Sequence, residues 1–211
     1  MTTSRAEALL ERAAGERDRL RRHLLVAAAL REVLEIEPVV VGGTAEEFHS
    51  GAPYHETDLD VCGWLREGEP RLLRTLGFRK RGRHWFHDAS KVAVEFPEPL
   101  IDGDGARIER FRVRGGTVAM IGVDDLYVDR LRQATAPWAD DSVELRSALA
   151  VAAGAFDRID RRYVLRRIRE IERTNPRLGQ AMRSIDSRVR RRVAAALRGP
   201  TSPLRQPRPR G

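Results

Sequence analysis

Val39-Val40-Val41-Gly42-Gly43-Thr44-Ala45, followed by Thr57-Asp58-Leu59-Asp60-Val61-Cys62, decides how this chain is read. Three β-branched residues closed by two glycines predict a buried strand entering a tight turn. Residues 44–50 can form a short helix, and Gly51-Ala52-Pro53 a loop. Residues 57–62 predict a second strand. Side chains alternate along a strand, so Leu59 and Val61 share one face while Asp58 and Asp60 share the other.

Upstream of this core, apolar residues recur at helical intervals from Leu9 to Leu34. Ser4-Arg5-Ala6-Glu7 has capping-box spacing, so the pattern predicts one long helix, or two in line, over residues 4–34. Pro38 ends it. Downstream, residues 70–76 read as a helix stopped by Gly77, Trp85-Phe86 as part of a hairpin strand, and residues 91–96 as a strand closed by Pro97. Asp102-Gly103-Asp104-Gly105 reads as a turn; the remaining ligands of a calcium loop are missing. Residues 108–113 and 117–121 flank Gly115-Gly116 and predict a hairpin. From residue 124 the pattern turns helical, with helices over 124–133, 143–153, 160–172 and 178–197. A mixed α/β front and a helical back place the chain in the α+β class.

At 211 residues the chain suits one domain with a helical appendage, and 41% apolar residues suffice to bury a core. A lone cysteine, Cys62, excludes a disulfide framework within the chain and reads as a buried thiol. The apolar run at residues 24–30 is too short to span a bilayer, so no membrane partner is expected and a cytoplasmic location is the default. The net charge of +8 is unevenly placed. Residues 158–211 hold 17 arginines against 4 acids, while the rest of the chain holds 22 basic and 27 acidic residues. A basic back half is expected to contact RNA. Since lysine occurs only at positions 80 and 91, arginine is also simply the default cation here, and those helices can equally be solvated.

The candidate chemistry centres on Asp58 and Asp60. Two carboxylates projecting from one strand face repel unless a cation or proton lies between them. Mg²⁺ is commonly held by one or two carboxylates together with substrate phosphates. Gly42-Gly43 would let backbone N–H groups approach a phosphate, aided by the helix start that follows. Glu95 stands inside the apolar run Val92-Ala93-Val94-Glu95-Phe96, where a carboxylate needs a partner; a shared metal, an arginine or open solvent would each serve.

In the order Val39-Val40-Val41-Gly42-Gly43-Thr44-Ala45, then Thr57-Asp58-Leu59-Asp60-Val61, then the helix Val123-Asp124-Asp125-Leu126-Tyr127-Val128-Asp129-Arg130-Leu131, the chain resembles the polymerase-β-type nucleotidyltransferase superfamily, most closely minimal prokaryotic members that include type IV toxin–antitoxin toxins. The resemblance covers residues 36–153. It implies that Gly42, Gly43 and Thr44 bind a nucleoside triphosphate and that Asp58, Asp60 and Glu95 hold catalytic Mg²⁺ or Mn²⁺. It places Arg130 at a nucleotide-contacting position where toxin-like relatives carry Lys, and offers Asp140 or Asp141 as a further acid. The chain departs from many relatives in having His55-Glu56 before the aspartate pair and Glu rather than Asp at position 95. The implied organisation is an N-terminal helix (1–35), a nucleotidyltransferase-like core (36–135), a helical subdomain (136–198) and a disordered basic tail (199–211).

The implied reaction moves a nucleoside monophosphate from a triphosphate to a protein or RNA acceptor, with Asp60 or Glu95 taking the acceptor proton. The competing reading is the same fold with weak chemistry, binding RNA through its arginine-rich helices. An Asp-x-Asp glycosyltransferase is disfavoured by the short front half. His49, His55, His84 and His87 show no zinc spacing. His84 and His87 are expected to share one strand face without a partner, in structural or surface roles, and Trp138 to anchor packing.

Overall fold

A computed structural model of the chain describes residues 3–53, 58–136 and 142–198. Contacts divide the chain into two compact units, Met1–Leu126 and Tyr127–Gly211. The division falls within the helix Val123–Gln133.

The first unit begins with two helices, α1 (Thr3–Gly15) and α2 (Arg19–Val33). The helical pattern over residues 4–34 is therefore interrupted. Asp18 ends the break by capping α2, its carboxylate accepting from the Arg21 amide at 2.8 Å. The two helices pack against each other rather than continuing in line. Ser4 lies inside α1, not at its cap. Every residue of α2 from His23 to Leu30 is buried. The reason is its position: α2 touches α1, α3 and four strands of the sheet. Alanines on this helix permit close approach; a Cβ added at Gly116 would come within 2.9 Å of the Ala28 Cβ.

The sheet contains seven strands: β1 (Val39–Val40), β2 (Asp58–Cys62), β3 (Phe78–Arg81), β4 (His84–His87), β5 (Val92–Glu95), β6 (Glu109–Val113) and β7 (Gly116–Met120). Their spatial order is β3-β4-β5-β2-β1-β7-β6. β1 runs parallel to β7 and β2 parallel to β5, while β1 and β2 are antiparallel. Hairpins β3–β4 and β6–β7 supply the two edges. Helix α3 (Gly42–Ser50) follows β1, and α4 (Glu69–Thr75) precedes β3. The Asp102–Gly105 turn leads into a single 3₁₀ turn, Gly105–Arg107.

Helix α5 (Val123–Gln133) carries the chain into the second unit, which continues with α6 (Val143–Gly154), α7 (Arg161–Thr174) and α8 (Pro176–Arg198). α8 packs on both α6 and α7. Tyr163, Val164, Ile168, Met182, Val189 and Val193 form the apolar faces of α7 and α8. Gly179 admits Glu172, whose Cβ a side chain at 179 would meet at 2.3 Å. A polar knot centres on the buried Asp186. The Tyr127 hydroxyl donates to Asp186 Oδ1 at 3.1 Å, and Arg161 pairs with the other oxygen of that carboxylate.

No helix among the described residues is long and apolar enough to cross a membrane. Residues 199–211, expected to form a disordered tail, lie outside the described residues, as does Trp138.

Candidate metal centre

Strand register assembles the site. β2 and β5 are parallel, with Asp60 opposite Glu95 and Asp58 opposite Ala93. The apolar residues of both strands, Leu59, Val61, Val92 and Val94, are at most 1% exposed, so they face the interior. Alternation then sends Asp58, Asp60 and Glu95 to the other, half-buried face together. β4 lies antiparallel on the far side of β5 and sets His84 opposite Glu95.

His84 Nε2 lies 3.3 Å from Asp58 Oδ2 and 3.2 Å from Glu95 Oε2. One potential ligand atom from each of Asp58, His84 and Glu95 falls within 4.8 Å of the others, a spacing that can hold a metal ion. Arg83 also reaches Glu95 Oε2, at 3.1 Å, from a largely exposed position.

Asp60 stands beside this trio with its carboxylate against the glycine turn: a Cβ on Gly42 would lie 2.1 Å from Asp60 Oδ2. The turn is tied to the strand by the Val41 amide, which donates to the Asp60 carbonyl at 3.0 Å. Gly42 has a φ of 60°, a left-handed conformation that favours glycine, and α3 starts there. The first amides of a helix lack partners within it and carry the positive end of its dipole.

Thr44 is turned inward, and its hydroxyl oxygen lies 2.9 Å from His23 Nδ1 on α2. Burial, reinforced by Arg19 and Arg22, lowers the pKa of His23 to about 4, with the charge of Asp58 acting in the opposite direction. His23 is therefore neutral at pH 7. Arg130 belongs to the second unit, where it donates to Gln133 Oε1 at 2.7 Å and Asp129 Oδ2 at 3.3 Å. Residues 54–57, with His55, Glu56 and Thr57, and the candidate acids Asp140 and Asp141 lie outside the described residues.

His84 is the site residue that sequence reasoning missed. His84 and His87 do not share a face: three residues along a strand is an odd step, which reverses the side. His84 faces the carboxylates. His87 is buried on the opposite side, 2.8 Å from Ser90 Oγ and packed against the Phe78 ring, and burial lowers its pKa. The missing signal was the hairpin pairing, which alone shows that His84 meets Glu95.

A separate surface cavity is lined by Glu32, Glu35, Glu67, Glu69 and Leu72 among others, and shares no residue with the centre. Its Glu69 carboxylate already accepts from the amides of Glu35 and Arg66.

No protein family profile matches the chain, and no curated protein does. Among solved structures, the chain is similar to an antigenic nucleotidyltransferase-like protein from Paracoccidioides brasiliensis, with a TM-score of 0.51 and 14% identity. The match covers 80% of this chain and 94% of that one. The fold is thus nucleotidyltransferase-like.

Proposed function

We propose that this chain is a metal-dependent nucleotidyltransferase that moves a nucleoside monophosphate from a nucleoside triphosphate to an RNA or protein acceptor. One observation carries the reading: Asp58 and Glu95 converge with His84, and Asp60 beside them meets the Gly42 turn. The fold likeness supports it.

The donor set fits a divalent cation. Two carboxylates and an imidazole are fixed by three neighbouring strands, and like charges held so close favour an ion between them. Asp58, Glu95 and His84 would hold Mg²⁺ or Mn²⁺, with Asp60 alongside. When bound, the ion supplies neutralisation of phosphate charge and acidification of an attacking hydroxyl.

The chain's own residues do the rest. Backbone N–H groups at Gly42 and Gly43 bind the triphosphate oxygens at the start of α3. The Gly42 position lacks a side chain, so the backbone can come close. Asp60, outside the three-atom group, takes the proton of the acceptor hydroxyl. The hydroxyl oxygen bonds to the α-phosphorus, the bond to the β-phosphate oxygen breaks, and pyrophosphate leaves with the electron pair. His23 holds Thr44 and so fixes the first turn of α3.

On the acceptor, α7 favours RNA. Arg162, Arg166, Arg169 and Arg173 are all exposed and recur at helical spacing, which sets them along one face. The second reading, an RNA-binding module with little chemistry, rests on the same face. The polymerase-β-type assignment and a toxin role within a toxin–antitoxin pair belong to this proposal too. Incubating the chain with each α-labelled triphosphate, Mg²⁺ or Mn²⁺, and cell extract tests it: label should appear in RNA or protein and vanish with Asp58→Asn. RNA binding that survives Asp58→Ala, with no label transferred under any condition, would favour the module instead. Growth arrest on expression, relieved by Asp58→Asn, tests the toxin role.

A further inference from the structure

We propose that His84 is a nitrogen ligand of the cation site and biases it toward first-row transition dications, Mn²⁺ and Co²⁺, over Mg²⁺. The inference rests on the nucleotidyltransferase reading of the site and adds the identity of its metal.

His84 is aimed by the backbone. The β4–β5 register puts residue 84 opposite Glu95, and the β2–β5 register puts Asp60 on the other side of Glu95. The imidazole therefore completes a row Asp60–Glu95–His84 across three strands. Its Nε2 lies at nearly equal distances, 3.3 and 3.2 Å, from oxygens of Asp58 and Glu95. A nitrogen equidistant from two carboxylate oxygens is placed to share an ion with them.

A counter-charge role alone explains less. Glu95 already has Arg83 at 3.1 Å, and that side chain is 73% exposed and free to move aside when an ion arrives. His84 sits on a strand and is far less exposed, so it has less freedom to leave. Mg²⁺ prefers oxygen ligands and gives up its waters reluctantly. An imidazole beside two carboxylates adds a ligand that suits transition dications better than Mg²⁺. An all-oxygen Mg²⁺ site can be made from Asp58 and Glu95 with water and substrate phosphates; the imidazole adds selectivity among metals.

The test uses the full chain without nucleotide. Mn²⁺ binding is followed by electron paramagnetic resonance, with spin-echo modulation reporting a directly bound ¹⁴N; Co²⁺ and Mg²⁺ are added as competitors. The expected result is a nitrogen modulation in the wild type that His84→Gln removes. His84→Gln should weaken Mn²⁺ and Co²⁺ by about tenfold while changing Mg²⁺ by less than about threefold. Asp58→Asn should weaken all three ions. The inference is overturned if the modulation is absent in the wild type, if it persists in His84→Gln, or if His84→Gln changes all three ions alike. The broader reading fails separately: a wild type that binds no divalent ion and transfers no label would sink both, whereas Asp58-dependent Mn²⁺ binding without nitrogen modulation sinks only this one. Circular dichroism of His84→Gln confirms that the variant is folded.

Discussion

Gly42 and Asp60 exclude each other's bulk: the carboxylate of Asp60 occupies the space that a side chain at residue 42 would take, with a Cβ only 2.1 Å from Oδ2. Gly42→Ala adds that clash to a left-handed conformation that costs a non-glycine residue about 1–2 kcal/mol. The variant should lose about 2 kcal/mol or more and melt roughly 4–8 °C lower, with transfer abolished. Gly51 is the control. Its φ is 70°, yet nothing lies within 4 Å of an added Cβ. Gly51→Ala should therefore cost only the conformational part, about 1 kcal/mol, and keep activity. Equal losses in both variants by thermal denaturation would mean that the Asp60 contact is unimportant.

Asp58→Asn and Glu95→Gln keep shape and remove charge. Relief of the repulsion between the two carboxylates is offset by the lost contacts of Asp58 with His84 and of Glu95 with Arg83 and His84, so melting temperature should move little while label transfer disappears. A variant that retains transfer would remove its residue from the metal centre.

His23 makes stability depend on pH. Its folded-state pKa, about 4, lies below the ordinary 6.5 because burial and two arginines disfavour the imidazolium. Above pH 6.5 the residue is neutral folded or unfolded, and contributes no slope. As pH falls from 6.5 toward 4, the unfolded chain takes up the proton first, so stability declines; below about 4 the effect levels off. The full loss is about 3 kcal/mol at most. Urea unfolding at pH 7, 5.5 and 4.5 should show this decline, and His23→Gln should flatten it. An unchanged slope would rule His23 out as its source.

Asp186 is 1% exposed and satisfies both Tyr127 and Arg161. Burial first, and then the Asp186 charge, push the Tyr127 phenol well above its ordinary pKa. Asp186→Ala would leave the buried Tyr127 hydroxyl without its acceptor, while Arg161, 37% exposed, can turn to water; the variant should cost about 2–3 kcal/mol in denaturant unfolding. Tyr127→Phe should cost only about 1 kcal/mol. A cost for Asp186→Ala no greater than that would show the knot to be dispensable.

Replacing Arg162, Arg166, Arg169 and Arg173 together by Gln should weaken RNA binding and reduce the salt slope by up to about 4. Each lies on the exposed side of α7, so helix content should not change. Fluorescence anisotropy across a salt series reads both quantities, and an unaltered slope would exclude this face.

The strands and helices were largely legible because their signals are local. Val39 to Gly43 reads as a strand and turn, and Asp58-Leu59-Asp60 as a strand with acids on one side, from period and glycine content alone. What depended on pairing was not legible. β3, Phe78–Arg81, draws no strand reading from its run of basic residues and shows only once β4 pairs with it. The break at residues 16–18 is polar but contains no proline, and only its packing shows that α1 and α2 fold back on each other. His84 entered the site through register, and the contact of the Thr44 hydroxyl with His23 depends on how α2 packs against α3. Side-chain partners chosen across the sheet have no one-dimensional signature.

The two outermost strands also determine what the sheet can join. β3 exposes Arg79, Lys80 and Arg81 in succession, and β6 exposes Arg110 and Arg112. A second chain adding itself alongside either border would have to desolvate those guanidinium and ammonium groups while meeting their like-charged copies. Both borders are thus protected against fibril-like stacking, and recruitment of other molecules is left to side-chain surfaces instead of shared backbone ladders.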